Sequence, residues 1–198
     1  MAESLRDRKK AATMRHVQAV AMDLFDERGF EAVKVEDVAA AAEVSPSTVY
    51  RYFGTKEGLV LHDEHDDLLF GAVAEALDEH DVWSVADQAL SLIDHDHFRR
   101  DAELTLRRTR LWFDTPTLRT ATFAVVDRWI DDLTEMVLNS PHHDYAPDEA
   151  RIRMASLLWG LVAAIECWHR AGAEGSLGDY LREKLALLTP AGTAPPTT

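Results

Sequence analysis

Apolar positions recur along this chain every three to four residues and almost nowhere on alternate residues, a pattern that predicts helices and no strands. Val17, Val20, Ala21, Leu24 and Phe25 make one stripe and predict a helix over about 13–28, with Gly29 as its natural stop. Val35, Val38, Ala39 and Ala42 give a second, shorter helix its apolar face. Ser45 followed by Pro46 is a start signal, because the hydroxyl can accept from orphan N–H groups and proline at the first helical position loses no bond. In the helix that follows, Val49 and Phe53 are anchors, while Ser47, Thr48, Tyr50, Arg51 and Tyr52 are offered outward. A long fourth helix is predicted after Thr55, since Leu69, Ala72, Val73, Ala76 and Leu77 keep one stripe. After a break near Asp81 come helices through Val85, Leu92 and Ile93, over about 98–114 (halted before Pro116), and over about 116–139. Residues 140–147 read as a loop, and two more helices cover about 148–171 and 176–188. The final TPAGTAPPTT, uncharged and proline-rich, predicts a disordered tail.

Nine helices in this order predict an all-α protein with a three-helix head, a connecting fourth helix and an all-helical body. The expected divisions are a helix-turn-helix head over 1–55, a helical body over 56–188, and a tail over 189–198. A short helix whose outward face is all hydrogen-bonding groups suits the major groove of DNA, where base edges carry a donor and acceptor code.

The net charge of −14 looks wrong for a DNA-binding chain until it is divided. Residues 1–60 hold 9 basic and 10 acidic groups, whereas 61–198 hold 12 and 25, so the acid sits in the body. The head carries a basic cluster at Arg6, Arg8, Lys9, Lys10 and Arg15, readable either as an arm that follows the DNA backbone or as a solvated, flexible terminus. An acidic body is repelled by phosphate and helps to orient the head, or else serves solubility alone. The single cysteine, Cys167, excludes an internal disulfide, fits a reducing cytosol and is expected to be buried. There is no signal-peptide core, and the longest strongly apolar run, Met154–Ile165, is too short to span a bilayer, so a soluble cytoplasmic protein is expected.

From Val17 onward the order V-x-x-V-A-x-x-L-F-x-x-x-G-F, then V-E-D-V-A at 35–39, V-S-P-S-T-V-Y-R-Y-F at 44–53 and T-K-E-G-L at 55–59, resembles the TetR family of transcriptional regulators. The resemblance implies that Thr48, Tyr50, Tyr52 and Lys56 meet phosphates of double-stranded operator DNA while Pro46, Ser47 and Arg51 approach base edges. It also implies a homodimer and a small-molecule effector that releases the DNA, which would make 56–188 a ligand-binding and dimerisation body. Two positions depart from the family pattern. Lys34 stands where a capping Thr is usual, and Glu43 where a turn Gly is usual, which predicts a strained left-handed backbone at 43.

For the dimer, Leu158, Leu161 and Ile165 on the eighth helix and Leu181 and Leu185 on the ninth are the expected interface, or they complete the core of one chain. Gly160 and Ala164 would permit a close helix approach. For the effector, Trp83, Phe98, Trp112, Phe113, Phe123, Trp129 and Trp159 could line a cavity or be plain core. Arg107, with Arg99, Arg100, Arg108 and Arg110, could hold the phosphates of an acyl-CoA-like ligand or be neutralised by neighbouring acids. An alternative reading, a metal-dependent sensor or small helical enzyme, would use His62 and His65 or His95 and His97. No cofactor is expected, and no nucleophile–base or phosphate-loop motif is present in the sequence.

Overall fold

The structure, a computed structural model, describes residues 5–62, 66–94 and 102–189. Among them are ten helices and no strand: α1 (Leu5–Arg28), α2 (Val35–Ala41), α3 (Pro46–Phe53), α4 (Gly58–Leu61), α5 (Asp66–Leu77), α6 (Val82–Ile93), α7 (Ala102–Asp114), α8 (Pro116–Asn139), α9 (Pro147–Arg170) and α10 (Leu177–Leu185). The count exceeds the expected nine because the long helix after Thr55 is not continuous. His62 takes extended backbone, φ −95° and ψ 153°, so α4 ends after one turn and α5 starts afresh at Asp66. An apolar stripe reports which faces are buried, not whether the helix joining them is unbroken. The other surprise is at the N-terminus, where α1 begins at Leu5 and takes the cations at 6–10 into its first turns. Apart from Thr189, the tail lies outside the described residues.

The chain packs as two compact units. One comprises Met1–Asp67 together with Arg110–Thr122, and the other Leu68–Thr109 together with Phe123–Thr198. The first unit thus runs past the expected boundary at residue 55 and takes in the corner between α7 and α8.

In the first unit Val17, Ala21, Phe25, Phe30, Val38, Val49, Phe53 and Leu59 form a closed apolar centre, with the Phe25 and Phe30 rings 5.0 Å apart. Gln18 is buried among them. Its amide donates to the carbonyls of Leu59 at 3.3 Å and His62 at 2.7 Å, which satisfies two carbonyls at the end of α4.

The second unit centres on Leu77, Trp83, Ile130, Val137, Met154, Trp168 and Leu181. Asp81 caps α6 by accepting from the N–H groups of Trp83 and Ser84 and from the Ser84 hydroxyl. Burial alone would raise its pKa, but these donors favour the anion and hold it below the usual carboxylate value. The Ser140 hydroxyl donates at 2.5 Å to the carbonyl of Leu77, so the α8–α9 loop closes the end of α5. Gly160 faces Leu188 of its own chain so closely that a Cβ would sit 2.5 Å from a Leu188 methyl. Its smallness therefore seats the chain's own C-terminal turn.

Candidate nucleic-acid interface

The turn before α3 is shaped by the end of α2. The Val44 N–H reaches back to the carbonyl of Ala39 at 3.0 Å, and this reversal needs a left-handed residue at position 43. Glu43 occupies it with φ 54°, the strain its sequence predicted. Helix α2 also starts without a hydroxyl cap. Lysine has no acceptor, so only one arm of a capping box exists, the Lys34 N–H donating to Asp37 at 2.9 Å.

Helix α3 is better secured. The Ser45 hydroxyl accepts from the Thr48 N–H at 3.1 Å and lies 2.8 Å from the Ser47 hydroxyl and 2.9 Å from that of Thr48. One capping serine therefore fixes both hydroxyls of the first turn. Val49 and Phe53 are buried beneath the helix, and Gly54 ends it at a positive φ of 70°, in a tight turn closed by the Thr55 N–H donating to the Phe53 carbonyl at 2.7 Å. A side chain at Gly58 would run into the Phe53 carbonyl, so glycine lets α4 begin directly against the end of α3.

What remains outward is the set the sequence nominated. Pro46, Ser47, Tyr50 and Arg51 are exposed, with Tyr50 47% accessible, and Thr48 and Tyr52 are half-buried. The Arg51 guanidinium lies 4.8 Å from the centre of the Tyr52 ring, which restrains a long cation that would otherwise sweep freely. Two turns of helix thus present hydroxyls, phenols and one guanidinium from a rigid support. Such groups can read base edges and grip phosphates.

Lys56 sits differently from its expected place on a phosphate. Its ammonium donates to the carbonyls of Phe30 at 2.9 Å and Val33 at 3.2 Å and lies over the Phe30 ring. Two of its three N–H groups are taken by the α1–α2 loop, leaving one to turn toward an anion. The family resemblance gave no sign of this, because motif spacing records which residue stands at a position and not its intramolecular partners.

The other candidates are placed less coherently. Leu181 and Leu185, expected at a dimer interface, are 2% and 5% exposed within one chain and belong to its core, since α10 lies flat on α9 and α6. Leu158, Leu161 and Ile165 are half-buried and keep open surface. Cys167 is exposed rather than buried, because it falls on the outward side of α9. The aromatic residues do not gather around one described cavity. Trp83 is core, Trp112 stacks on Phe113, Phe123 lies against Trp159, and Trp129 against Phe70. A depression of 430 Å³ in the second unit is lined by Ala74, Asp78, Asp132, Glu135, Met136, Asn139 and Ser140, none of them a nominated ring. Arg107 and Arg108 are half-buried and have partners, and Arg110 is exposed. Phe98, Arg99, Arg100, His65, His95 and His97 lie outside the described residues. Among the described residues no three His, Cys, Asp or Glu come together as metal ligands, and no helix is long and apolar enough to cross a membrane.

A capped, anchored helix carrying this outward face, held in a helix-turn-helix, defines the class of protein as a DNA-binding one. The family described as "Bacterial regulatory proteins, tetR family" matches residues 18–62, and "MftR C-terminal domain" matches residues 80–192, more than half of the chain. The chain belongs to the TetR family and is a DNA-binding transcriptional regulator.

A protein of Mycobacterium tuberculosis strain H37Rv named as a mycofactocin biosynthesis transcriptional regulator, MftR, is 26% identical over 140 residues, covering 68% of this chain and 69% of that protein. The HTH-type transcriptional repressor Rv3405c of the same strain is 44% identical over 59 residues, 27% of this chain and 31% of that one. Among solved structures, Thermus thermophilus FadR, a TetR-family repressor in complex with lauroyl-CoA, has a TM-score of 0.51 at 20% identity, covering 93% of this chain and all of that one. The fatty acid degradation regulator FadR of Bacillus halodurans has a TM-score of 0.56 at 18% identity, covering 88% and 96%. These structural likenesses establish the fold.

Proposed function

We propose that this chain is a homodimeric repressor that holds operator DNA through α3 and releases it when a small hydrophobic or acyl-CoA-like molecule binds the helices after residue 56. The observation that carries the DNA part is the outward face Ser47, Tyr50 and Arg51 on a helix whose inward face is wholly buried. Pro46, Thr48, Tyr52 and Lys56 complete the contact set on this reading. Two copies would place two recognition helices on half-sites of one duplex, so a small change in their separation weakens binding strongly. The half-open stripe Leu158, Leu161 and Ile165 on α9 supports the second copy as its cover.

Support for an effector comes from the lauroyl-CoA bound to the structurally similar Thermus FadR. It also comes from Thr105 on α7, whose buried hydroxyl has no hydrogen-bond partner among the described residues. A buried hydroxyl left without a partner costs about 1–3 kcal/mol, a deficit that a ligand polar group can remove. On this reading Arg107, half-buried on the same helix, assists in holding an anionic head group.

Selection of bound duplexes from a random pool tests the DNA reading; recovery of no enriched sequence at low salt would end it. Thermal shift with lauroyl-CoA, free fatty acids and aromatic compounds tests the effector, since a molecule that binds only the folded chain must raise its melting temperature. A shift with none of these classes would leave a DNA-binding protein controlled by its abundance.

A further inference from the structure

Resting on the DNA-binding reading, we infer that the α1–α2 loop, residues 29–34, positions the recognition helix, and that Glu31 and Thr117 tie this loop to the corner between α7 and α8. Occupation of the DNA and the state of that corner are then coupled.

The loop is gripped from two directions. On the DNA-reading side, Lys56 follows α3 by three residues and donates to the carbonyls of Phe30 and Val33 at 2.9 and 3.2 Å. Phe30 itself is 3% exposed and packs against Phe25, so the loop is anchored in the core and not merely draped on it. Immediately after Lys56, Gly58 donates from its N–H to the Thr55 hydroxyl at 3.2 Å and abuts the end of α3. A displacement of the loop therefore has a short path to the recognition helix, through one ammonium and one turn.

On the other side, the Thr117 hydroxyl in the first turn of α8 donates at 2.7 Å to the Glu31 carboxylate. Glu31 lies between the two carbonyls that Lys56 holds. The corner that supplies Thr117 is itself fixed: the Trp112 indole donates at 2.5 Å to the Thr122 hydroxyl, which donates in turn to the Leu118 carbonyl at 2.9 Å. Leu118 is fully buried. The corner is therefore braced from within. It packs with the head although α7 and α8 both run on into residues of the second unit.

The Glu31–Thr117 bond links the corner to the loop directly, side chain to side chain. Its removal should cost little fold stability, because it is exposed. It should cost coupling instead, on the scale of a several-fold shift in a two-state equilibrium.

Coupling is reciprocal, so DNA must act on the corner if the corner acts on DNA, and no effector is needed for the test. Amide hydrogen exchange is followed in the full chain with and without a duplex enriched from the random pool, for wild type, Glu31→Ala, Glu31→Gln and Thr117→Val. The expected result is that the duplex slows exchange across 110–122 about three- to tenfold in wild type. It should do the same in Glu31→Gln, whose amide oxygen can still accept from Thr117. In Glu31→Ala and Thr117→Val the corner should no longer respond, while duplex affinity falls by less than about fivefold. A wild-type corner indifferent to bound duplex overturns the inference, as does a corner that still responds in both disabled variants. A wild-type chain that binds no duplex at all is a distinguishable result and removes the DNA-binding reading itself.

Discussion

Arg182 on α10 reaches across 88 residues of sequence to place its guanidinium 3.2 Å from the carboxylate of Asp94, the residue that caps the C-terminal end of α6. Asp94 is 4% exposed, and a carboxylate at a helix C-terminus faces the unfavourable end of the peptide dipoles. Arg182 answers that charge, and the Ser176 hydroxyl donates to the other carboxylate oxygen at 3.0 Å. A side chain at Gly178 would collide with Asp94, so glycine allows α10 to come this close. Arg182→Ala should lower the unfolding free energy by about 1–3 kcal/mol, because it leaves a buried charge short of its partner. A double-mutant cycle with Asp94→Asn, measured by urea unfolding, checks this. Additive losses would mean that the two side chains do not interact.

Arg51 is the one long cation on the outward face of α3. Arg51→Ala should flatten base preference at one position of each half-site by about 1–3 kcal/mol, while binding to unrelated duplexes falls much less. Competition among duplexes with single substitutions measures this. If the loss is the same on every duplex, Arg51 holds a phosphate instead.

Two positions in the head are locally suboptimal and should improve on substitution. Glu43→Gly relieves the left-handed backbone at φ 54° and should stabilise the fold by about 0.5–1 kcal/mol. Lys34→Thr supplies the missing cap of α2 and should add about 0.5–1 kcal/mol. Thermal denaturation of the two single variants and the double variant reads both effects. A lower melting temperature for Glu43→Gly would point to a contact of that carboxylate outweighing the strain.

Stability should also fall with acidification through His143. The Ser140 hydroxyl gives its proton to Leu77, so it can only accept from the imidazole Nδ1, 3.2 Å away. Nε2 is then the unprotonated nitrogen, buried without a partner among the described residues. Burial first, and then repulsion from His142, lower the pKa below 6.5, with Asp81 opposing. A base whose folded pKa is depressed contributes its stability in full above the unfolded value of 6.5, and loses it as pH falls through the folded value. His143→Gln should therefore flatten the decline in melting temperature below pH 6.5. An unchanged slope would assign the decline to other groups.

Core and association should separate on α9 and α10. Leu181→Ala opens a cavity at a 2% exposed site and should cost about 2–5 kcal/mol of stability. Leu158→Glu, at a half-buried site, should leave the fold largely intact and weaken self-association at least about tenfold, because a charge would then be buried between copies. Sedimentation velocity over a concentration series distinguishes them. Equal association of wild type and Leu158→Glu would place the interface elsewhere.

Much of the head was legible because its signals are local. Ser45-Pro46, Gly54 and the Val49/Phe53 spacing each specify a cap, a stop or a buried face within a few residues of themselves. The left-handed turn at Glu43 was legible for the same reason. What escaped depends on partners far along the chain. Nothing near Gln18 announces the carbonyls of Leu59 and His62, and nothing near Glu31 announces Thr117. Helical period nominated Leu158 and Leu181 equally, although one keeps open surface and the other does not. A stripe marks apolarity but cannot say which neighbour covers it. The described aromatic residues illustrate this, since their helical spacing did not foretell the local partners that Trp112, Phe123 and Trp129 find in Phe113, Trp159 and Phe70.

The helical start of α1 at Leu5 changes the thermodynamics of whatever anion meets its cations. Arg8, Lys9 and Arg15 are displayed at fixed spacing on an already folded rod, with Thr13 bonded back to the Lys9 carbonyl. A disordered tether would have to surrender its conformational freedom on contact; this segment has none of that kind left to lose. Calorimetry of its encounters should accordingly lack the large negative heat-capacity change that accompanies folding on a partner.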